Sequence, residues 1–429
     1  MSREQSLTSG PGGRILTNAN VWSPDGDWIV YDERSDAAGS NFDGTRIWAI
    51  HTQTGERKCL YQSRHGACCG VVSWHPSLMR VAFILGPEHP TDNFRYGPDR
   101  RRGVMVDFDR PGEAISLDAR DLVAPYTPGA LRGGSHVHIF HPQGRHLSFT
   151  YEDHILAMTT DPKAEPNRRT IAVSLLDLPV TVPAHHLRNH SGTAFSVVVV
   201  RTTAAPTPGS DEIARAIEEG WVGHDGYLRA DGTRQRMALA FQGEVIAASG
   251  QPVWEVFIVD LPDDLTRPGE GPLAGSATTA PRPPHGTTQR RLTFTCDEPY
   301  PGIAGPRHWL RSNPQGTRIG FYRKDRRGVV QFWTVSPQGG SPVQVTDHPF
   351  SIESAFTWHP SGGSVFFVAD GRVCRTEISS GRTISLTEPG GDPIRPEACV
   401  VSPRGDRVAF VRRGTDPAAA NQIHIVDVE

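Results

Sequence analysis

The pentapeptide Trp22-Ser23-Pro24-Asp25-Gly26 decides the fold, because five degenerate copies of it follow along the chain. Each copy follows a short apolar run and precedes another, which is a pattern of strand, tight turn and strand. Proline presets such a turn, and glycine accepts its unusual φ value. The copies are Trp74-His75-Pro76, Phe140-His141-Pro142-Gln143-Gly144, Ser312-Asn313-Pro314-Gln315-Gly316, Trp358-His359-Pro360-Ser361-Gly362 and Val401-Ser402-Pro403-Arg404-Gly405. A four-stranded unit that recurs at this spacing is typical of a β-propeller blade.

The spacing of the marker prolines predicts seven blades. The prolines lie at positions 24, 76, 142, 314, 360 and 403, and most gaps suit one blade of four strands. The gap from 142 to 314 is too long for one blade. We predict that the apolar run 195–200, which has no marker turn, forms the inner strand of a fourth blade that continues through 237–241 and 253–259. We leave a count of eight blades as the alternative, in case the gap between residues 142 and 314 contains a further sheet.

A second repeat predicts how the ring closes. The outer strand of several blades ends in a Leu-Thr or Val-Thr pair, at 292–293, 345–346 and 386–387, and the same pattern stands at 14–17 before the first blade. The last blade ends at 426–428 without an outer strand of its own. We therefore predict that the N-terminal strand joins the C-terminal blade and removes the open edges. Residues 1–429 would then form one all-β domain, a seven-bladed propeller of four-stranded antiparallel blades.

Three segments fall outside the repeat, at about 88–103, 203–234 and 264–288. The first is polar and rich in arginine, and the third is rich in proline, glycine and threonine. Within the second, 210–220 begins with serine and two acidic residues and ends in glycine, which predicts a short helix. Long insertions on a rigid scaffold are where binding residues concentrate.

Composition excludes several classes of function. A net charge of −3 over 429 residues argues against a surface for nucleic acid or for anionic membranes. No apolar run approaches the roughly 18–20 residues that span a bilayer. The N-terminus has no apolar region typical of a secretory signal, and none of the six cysteines forms C-x-x-C, so we expect reduced thiols in a cytoplasmic protein.

Common catalytic motifs are also missing from the sequence. There is no phosphate-binding loop and no G-x-G-x-x-G before a helix, so we expect no nucleotide cofactor. The stretch Gly133-Gly134-Ser135-His136-Val137 lacks the final glycine of a hydrolase nucleophile motif.

A ring of polar residues is predicted at one mouth of the axial channel, where the inner strands begin. The residues six positions before each marker proline are Asn18, Gly70, His136, His308, Ser354 and Glu397, and His190 lies near the corresponding place in the unmarked blade. Arg132, His138, Arg307 and Arg311 flank this ring. Imidazoles from separate blades can bind manganese, iron, nickel or zinc, so we predict His136 and His308 as metal ligands. The alternative to a metal-binding or catalytic role is that each histidine is simply packed in the core or occupies a turn.

Two loops lead into this mouth, and each has two interpretations. Residues 124–135 are dense in turn residues and end before His136, so they can hold Tyr126 and Arg132 over the channel or serve only as a connection. Residues 300–307 precede His308 in the same way. Asp211, Glu212 and Trp221 form either a lid over the mouth or a surface helix.

Several stretches carry a resemblance to known families. The W-S-P-D-G pattern with its following aromatic strand resembles the TolB-type propeller repeat over most of the chain. Over nearly the full length the sequence is similar to the YidR-like proteins, an uncharacterised bacterial family. The stretches that carry this similarity are Ala124-Pro125-Tyr126-Thr127-Pro128-Gly129, Arg132-Gly133-Gly134-Ser135-His136-Val137-His138, Gly209-Ser210-Asp211-Glu212-Ile213, Glu219-Gly220-Trp221-Val222-Gly223 and Pro306-Arg307-His308-Trp309.

More distantly, the chain resembles oligogalacturonate lyases. The resemblance implies an intracellular seven-bladed propeller that holds manganese through histidines and a glutamine at the channel mouth. His136, His138 and His308 match this set in type and place, whereas the glutamine has no identified counterpart in this chain.

Two functions from different classes follow from these observations. The favoured one is an enzyme, a lyase that cleaves uronate-containing oligosaccharides by β-elimination. This reaction needs a cation, from a metal on His136 and His308 or from Arg132 and Arg307, and a base such as His138 or His190. The predicted substrate-binding residues are Tyr126, Arg311, Glu397 and Trp221. The alternative is a non-enzymatic propeller that binds a protein or peptide, as TolB does. Other enzymes, such as a glycosidase, are less favoured hypotheses, because a glycosidase needs two carboxylates and Glu397 is the one carboxylate in the predicted ring.

Overall fold

The computed structural model describes residues 4–18, 20–397, 399–414 and 420–428. Its strands form seven four-stranded antiparallel sheets, and a short two-stranded ladder and one short helix accompany them. The sheets follow one another as the blades of a propeller, which confirms the predicted fold class. Among the described residues, no helix is both long and apolar enough to cross a membrane.

The strands of the first half run in chain order. The chain begins with β1 (Gln5–Ser6). Blade 1 contains β2 (Gly13–Ile15), β3 (Trp28–Arg34), β4 (Arg46–His51) and β5 (Arg57–Gln62). Blade 2 contains β6 (Cys69–Trp74), β7 (Arg80–Leu85), β8 (Arg102–Asp107) and β9 (Ile115–Ser116). Blade 3 contains β10 (Gly133–Phe140), β11 (His146–Asp153), α1 (His154–Met158), β12 (Thr170–Leu175) and β13 (Phe195–Val198).

The second half continues the pattern. Blade 4 contains β14 (Ala216–Trp221), the small ladder of β15 (Tyr227–Leu228) and β16 (Arg234–Gln235), and then β17 (Ala238–Ile246), β18 (Pro252–Asp260) and β19 (Thr288–Arg291). Blade 5 contains β20 (Arg311–Ser312), β21 (Ile319–Lys324), β22 (Val330–Val335) and β23 (Val343–Gln344). Blade 6 contains β24 (Thr357–Trp358), β25 (Ser364–Ala369), β26 (Arg372–Glu377) and β27 (Thr383–Ser385). Blade 7 contains β28 (Val400–Val401), β29 (Arg407–Arg412) and β30 (Gln422–Asp427).

The N-terminal strand lies in the last blade. β1 pairs antiparallel with β30, with Gln5 opposite Ile425, and so supplies the fourth strand of blade 7. The strand that does this is β1 and not the segment 14–17, which belongs to blade 1 through the pairing of β2 with β3. The buried Arg14 explains the difference, because its guanidinium donates to the carbonyl oxygens of residues 9–12 and folds the chain back between β1 and β2.

The fourth blade differs from its prediction in two ways. The run 195–200 contains β13, the outer strand of blade 3, whereas the inner strand of blade 4 is β14. The predicted helix over 210–220 is therefore wrong, because β14 occupies its second half and pairs with β17. Pairing within a blade overrides the local helix signals here. The segment 203–234 is accordingly not one insertion, since it contains the inner strand of a blade.

Tryptophans at the ends of inner strands link neighbouring blades. The indole N–H groups of Trp22, Trp221 and Trp358 each donate to a carbonyl oxygen on the preceding blade, those of Val400 (2.9 Å), Ile139 (3.0 Å) and Arg311 (2.9 Å). Trp221 thus takes in blade 4 the place that Trp22 takes in blade 1. The stretch that follows it, 222–226, is a remote copy of the marker turn, and its Gly226 packs against Gly316 of the next turn.

The two ends of the propeller have different characters. Marker turns of successive blades touch one another at one end, where Arg407 Nη2 donates to Gly26 O (2.9 Å) and Gln315 Nε2 donates to Ser361 O (3.0 Å). The other end, which we call the mouth face, carries the starts of the inner strands and the loops between the second and third strands of the blades. The polar residues described next lie at the mouth face.

Candidate functional site

Three adjacent inner strands are bulged near the mouth face. The registers of β6, β10 and β14 shift between Gly70 and Ser73, between His136 and Ile139, and between Ile217 and Gly220. Each bulge contains a non-glycine residue with positive φ, namely Val71 (60°), Val137 (58°) and Glu218 (56°). Valine avoids this region because its branched side chain clashes with the backbone, and strain of this kind clusters at functional sites. Blades 2, 3 and 4 therefore mark one side of the mouth as a candidate site.

The positive charges of three arginines from separate blades act on His136 of β10. These are Arg101, Arg169 and Arg307, which we call the arginine cluster. Burial, followed by the positive charges of these three guanidinium groups, holds the pKa of His136 well below its usual value. Its Nδ1 is buried and has no hydrogen-bond partner in the part of the chain that the structure describes. His136 is therefore a neutral imidazole that sits in a positive potential.

The three arginines differ in their counter-ions. Arg169 pairs with Glu152 (Nη2 to Oε1, 2.6 Å), and Arg307 pairs with Glu218 (Nε to Oε1, 2.7 Å). Arg101 is only 6% exposed, and among the described residues no carboxylate oxygen lies within 4 Å of its guanidinium. Its Nη1 donates to Tyr96 Oη (3.2 Å), whereas its buried Nε has no partner within the described ranges. A buried guanidinium without a counter-ion is costly, so this arrangement favours an anionic ligand.

The loop that carries Arg101 is held over β10 by two features. A Cβ on Gly134 would collide with Pro98 O and with the backbone of residues 99–100, so only glycine lets the loop pass this close. The buried Arg120 donates from Nη1 to Arg100 O (3.1 Å) and from Nη2 to Arg101 O (2.6 Å). Gly134 and Arg120 thus fix the backbone position of Arg101.

Glu218 lies on the bulge of β14 and is 5% exposed. One oxygen accepts a hydrogen bond from Arg307 Nε, and the other, Oε2, is buried and has no partner among the residues that the structure describes. Burial raises the pKa of Glu218, and the neighbouring Arg307 opposes that rise. The Arg307 side chain is 53% exposed and lies over the ring of Trp309 at 4.9 Å, so it carries positive charge to the solvent side of this carboxyl group.

Glu219 follows Glu218 but points away from the mouth. It is fully buried between blades 3 and 4, where its Oε2 accepts a long hydrogen bond from Thr150 Oγ1 (3.3 Å). Burial raises its pKa to about 8. Glu219 is therefore protonated at neutral pH and has no access to a ligand.

Sequence reasoning missed Arg101, Arg169 and Glu218. The arginine-rich composition of 88–103 was the available signal for Arg101. Arg169 lies in the connection before β12, and no spacing rule points to it. Glu218 was hidden by the predicted helix over 210–220.

The contacts of His136 and His308 do not fit a shared divalent cation. His308 is 2% exposed, its Nδ1 donates to Pro306 O (2.8 Å), and its Nε2 accepts from the backbone N–H of Tyr322 (3.1 Å). Neither nitrogen has a lone pair left for a metal, and the arginine cluster repels a cation beside His136. Within the described ranges, no group of three or more His, Cys, Asp or Glu side chains is arranged to hold a metal ion.

The two histidines predicted as bases lie away from the mouth. His138 is buried beside Ser135, with Nε2 3.1 Å from Ser135 Oγ, and burial lowers its pKa to about 3. His190 does not start an inner strand, because β14 takes that place. Its backbone pairs with Arg120 instead, and burial lowers its pKa to about 3.

Arg132 and Tyr126 lie together but not over the channel mouth. The guanidinium of Arg132 lies 4.9 Å from the ring of Tyr126, and all three nitrogens are engaged within the protein. Nε binds Asp153 Oδ2 (2.6 Å), and the Nη atoms donate to the carbonyl oxygens of Ser276 and Thr279. Arg132 therefore pins the insertion 264–288 to blade 3.

The remaining predicted residues have structural partners as well. Trp221 is the inter-blade tryptophan of blade 4 and does not form a lid. Arg311 of blade 5 reaches Asn18 of blade 1, where Nε donates to Oδ1 (3.3 Å) and Nη2 to the backbone carbonyl. Because blades 5 and 1 are not neighbours, this side chain crosses the channel. Glu397 binds Arg395 through both oxygens (3.0 and 2.7 Å), and its role in substrate binding stays a prediction.

A cavity of about 960 Å³ lies apart from the mouth, between the insertion 264–288 and residues 199–213. Its arginines are paired, Arg201 with Glu270 (2.5 Å) and Arg168 with Glu165 (3.1 Å). This cavity is therefore a weaker candidate for an anion-binding site than the mouth face, despite its size, because it lacks the unpaired positive charge of Arg101.

Comparisons with known proteins agree with this architecture. Two solved oligogalacturonate lyases, one in complex with manganese and one from Vibrio parahaemolyticus, match with TM-scores of 0.59 and 0.54. Each is 10% identical, and each match covers 99% of this chain and 93% of the other. At this identity the likeness shows the propeller fold alone.

Sequence comparison goes further and confirms the similarity to YidR-like proteins. A family model described as a protein of unknown function (DUF3748) matches residues 68–190. The Escherichia coli (strain K12) protein described as "Uncharacterized protein YidR" is 44% identical over 414 residues, which are 96% of this chain and 95% of that protein. The chain therefore belongs to the YidR family.

Proposed function

We propose that this protein is a lyase that cleaves uronate-containing oligosaccharides by β-elimination at the mouth face. The observation that carries the proposal is Arg101, a buried guanidinium without a carboxylate partner among the described residues, beside Arg169, Arg307 and the neutral His136. A carboxylate ligand would supply the missing counter-ion through a charge-assisted, bidentate contact. The fold shared with oligogalacturonate lyases supports uronate as the acidic sugar.

The chemistry of β-elimination suits such a site. The hydrogen on the carbon next to a uronate carboxylate becomes acidic when positive charge stabilises the enediolate that forms as it leaves. The arginine cluster supplies this charge at fixed positions. A divalent metal such as manganese on His136 and His308 is the other source that the sequence suggests. The hydrogen bonds of His308 and the arginine charges that act on His136 count against it.

The test uses trigalacturonate as substrate. Cleavage would create a carbon–carbon double bond conjugated with the carboxylate, and its ultraviolet absorbance reports the rate. Binding is measured by calorimetry for the wild type and for Arg101→Met. Since hydrogen bonds to charged groups contribute roughly 1.5–3 kcal/mol, we expect the variant to bind at least about tenfold more weakly.

Arg201→Met is the matched control, because Arg201 is an exposed, paired arginine outside the mouth. It should leave affinity and rate unchanged. Exhaustive treatment with a chelator should also leave both unchanged. An absence of binding and of product in the wild type, or equal affinities of the wild type and Arg101→Met, contradicts the proposal and leaves the peptide-binding alternative.

A further inference from the structure

We propose that Glu218 is the base that removes the proton from the carbon next to the substrate carboxylate, and that Arg307 holds it in position. This inference rests on the proposed function and assigns the proton-transfer step of that reaction. It differs from the sequence-based expectation, in which His138 or His190 served as the base.

The geometry of Glu218 fits this task. Its Oε1 is fixed by Arg307 Nε at 2.7 Å, while Oε2 is buried and has no hydrogen-bond partner among the described residues. A carboxylate held through one oxygen presents the other in a defined direction. The positive φ of Glu218 places it on the bulge of β14, where the backbone accepts strain that a regular strand would not impose.

The other carboxylates near the mouth lack this combination. Both oxygens of Glu152 are engaged, Oε1 by Arg169 (2.6 Å) and Oε2 by Asn167 Nδ2 (3.4 Å). Both oxygens of Glu397 face Arg395. Glu219 also has a buried oxygen, Oε1, without a partner among the described residues, but this carboxyl group lies between blades 3 and 4 and not beside the arginine cluster. Glu218 is therefore the carboxylate of this group that combines an unpartnered oxygen with a place beside the arginine cluster.

His136 is the competing base, because its Nδ1 also lacks a partner among the described residues. A protonated imidazole would add a positive charge to those of Arg101, Arg169 and Arg307, which already lower the pKa of His136. Proton transfer to Glu218 instead removes a negative charge and leaves Arg307 free to bind the developing enediolate. Electrostatics therefore favours the carboxylate as the proton acceptor.

The step balances without an oxidant or reductant. Glu218 Oε2 takes the proton from C5 of the uronate, and the electron pair of that C–H bond forms the double bond between C4 and C5. The C4–O4 bond breaks, and the leaving oxygen takes a proton from water. The resulting hydroxide then takes the proton from Glu218 and restores the carboxylate.

The experiment compares Glu218→Gln with Glu219→Gln on the full chain. Glutamine keeps the shape of Glu218 but cannot accept a proton, so kcat for trigalacturonate should fall at least about a hundredfold, while affinity stays the same or rises. Glu219→Gln changes the neighbouring, fully buried carboxyl group and should keep kcat within about threefold. It also shows whether a neutral substitution in this strand disturbs the fold.

A second measurement does not depend on turnover. A bound uronate brings negative charge toward Glu218 and raises its proton affinity. Calorimetry with galacturonate, which has no glycosidic bond to cleave, should therefore show partial proton uptake when binding is compared in two buffers of different ionisation enthalpy. Glu218→Gln should abolish this uptake, and Glu219→Gln should retain it.

The outcomes separate the two proposals. Loss of kcat and of proton uptake in Glu218→Gln, with binding retained, supports the assignment. A Glu218→Gln variant with kcat within about threefold of the wild type overturns it and leaves the lyase proposal standing. If the wild type binds trigalacturonate without cleaving it, the role of Glu218 is overturned and only a binding site for acidic sugars at the arginine cluster is left. If the wild type neither binds nor cleaves trigalacturonate, both proposals are overturned.

Discussion

Blades 2–4 and blades 5–7 follow the same plan but differ at their inner strands. In blades 2–4 these strands contain six, eight and six residues, and each is bulged at a residue with positive φ. In blades 5–7 they contain two residues each, and their pairing shows no register shift within the described part of the chain. The same four-stranded repeat forms the ring in both halves. The candidate site lies in the half where bulges interrupt the inner strands.

Hydrogen bonding at the mouth face shows the same contrast. In blade 6, Ser354 Oγ accepts from the backbone N–H of Val368 (2.8 Å) and donates to Ala355 O (2.8 Å), so the start of the inner strand is internally satisfied. At the corresponding level of blades 3 and 4, His136 Nδ1 and Glu218 Oε2 are buried and have no partner among the described residues. Buried polar atoms without partners are rare in proteins, and these two lie beside the arginine cluster, where a bound ligand would supply the missing contacts.

Gly134→Ala should have the largest effect, because it removes the close approach that positions Arg101. The added Cβ would collide with Pro98 O and with the backbone of residues 99–100, which cannot move as a side chain does. We expect a loss of about 3 kcal/mol in the free energy of unfolding and at least tenfold weaker binding of trigalacturonate. Chemical denaturation and calorimetry measure the two effects.

Gly363→Ala in blade 6 is the matched control for this substitution. The nearest atom to its added Cβ would be Ser361 Oγ at 3.5 Å, and the residue is exposed. Its effect on stability should stay within about 0.5 kcal/mol. Equal effects of the two substitutions would remove the distinction between the two halves of the ring.

The sequence predicted the regular half better than the broken half. Marker turns delimit blades 5–7, and there strand order followed from the prolines. In blade 4 the apolar run 195–200 resembles an inner strand more than β14 does, because β14 contains Glu218, Glu219 and Gly220. Polar residues at a functional site conceal the strand that carries them. Trp221 was the available signal, since it occupies the place of Trp22.

The same reasoning explains which site residues were found. His136 and Arg307 stand near marker turns, so their proximity at the mouth followed from the repeat. Arg101 and Arg169 lie on connections between second and third strands, whose paths are set by contacts such as those of Gly134 and Arg120. The contacts of Arg132 and His308 within the protein depend on partners far away in the sequence, which no local pattern reveals.

Glu219→Gln should change the pH dependence of stability. The pKa of Glu219 is raised from 4.5 to about 8 in the folded protein by burial, so the folded state retains a proton that the unfolded chain loses. Stability therefore falls as pH rises from about 4.5 to about 8. Glutamine mimics the protonated form, so we expect the variant to be more stable than the wild type at pH 8, by a difference that shrinks as pH falls and vanishes near pH 4. Denaturation curves across this range test it, and parallel curves for both proteins would contradict it.

Val71→Asn should have the smallest effect on stability, and it tests whether the positive φ at this bulge is a source of backbone strain. Val71 is half-buried and has a φ of 60°, a conformation that asparagine adopts more readily than valine. We expect the free energy of unfolding to stay equal or to rise by up to about 1 kcal/mol. The same substitution at Val401 in the unbulged β28 should destabilise the protein by about 1 kcal/mol. Both valines pack against the core, so both substitutions lose packing, but only at Val71 does relief of backbone strain offset that loss. If both variants lose stability equally, the bulge of blade 2 holds no strain that asparagine relieves, and the difference between the two halves lies in the polar groups alone.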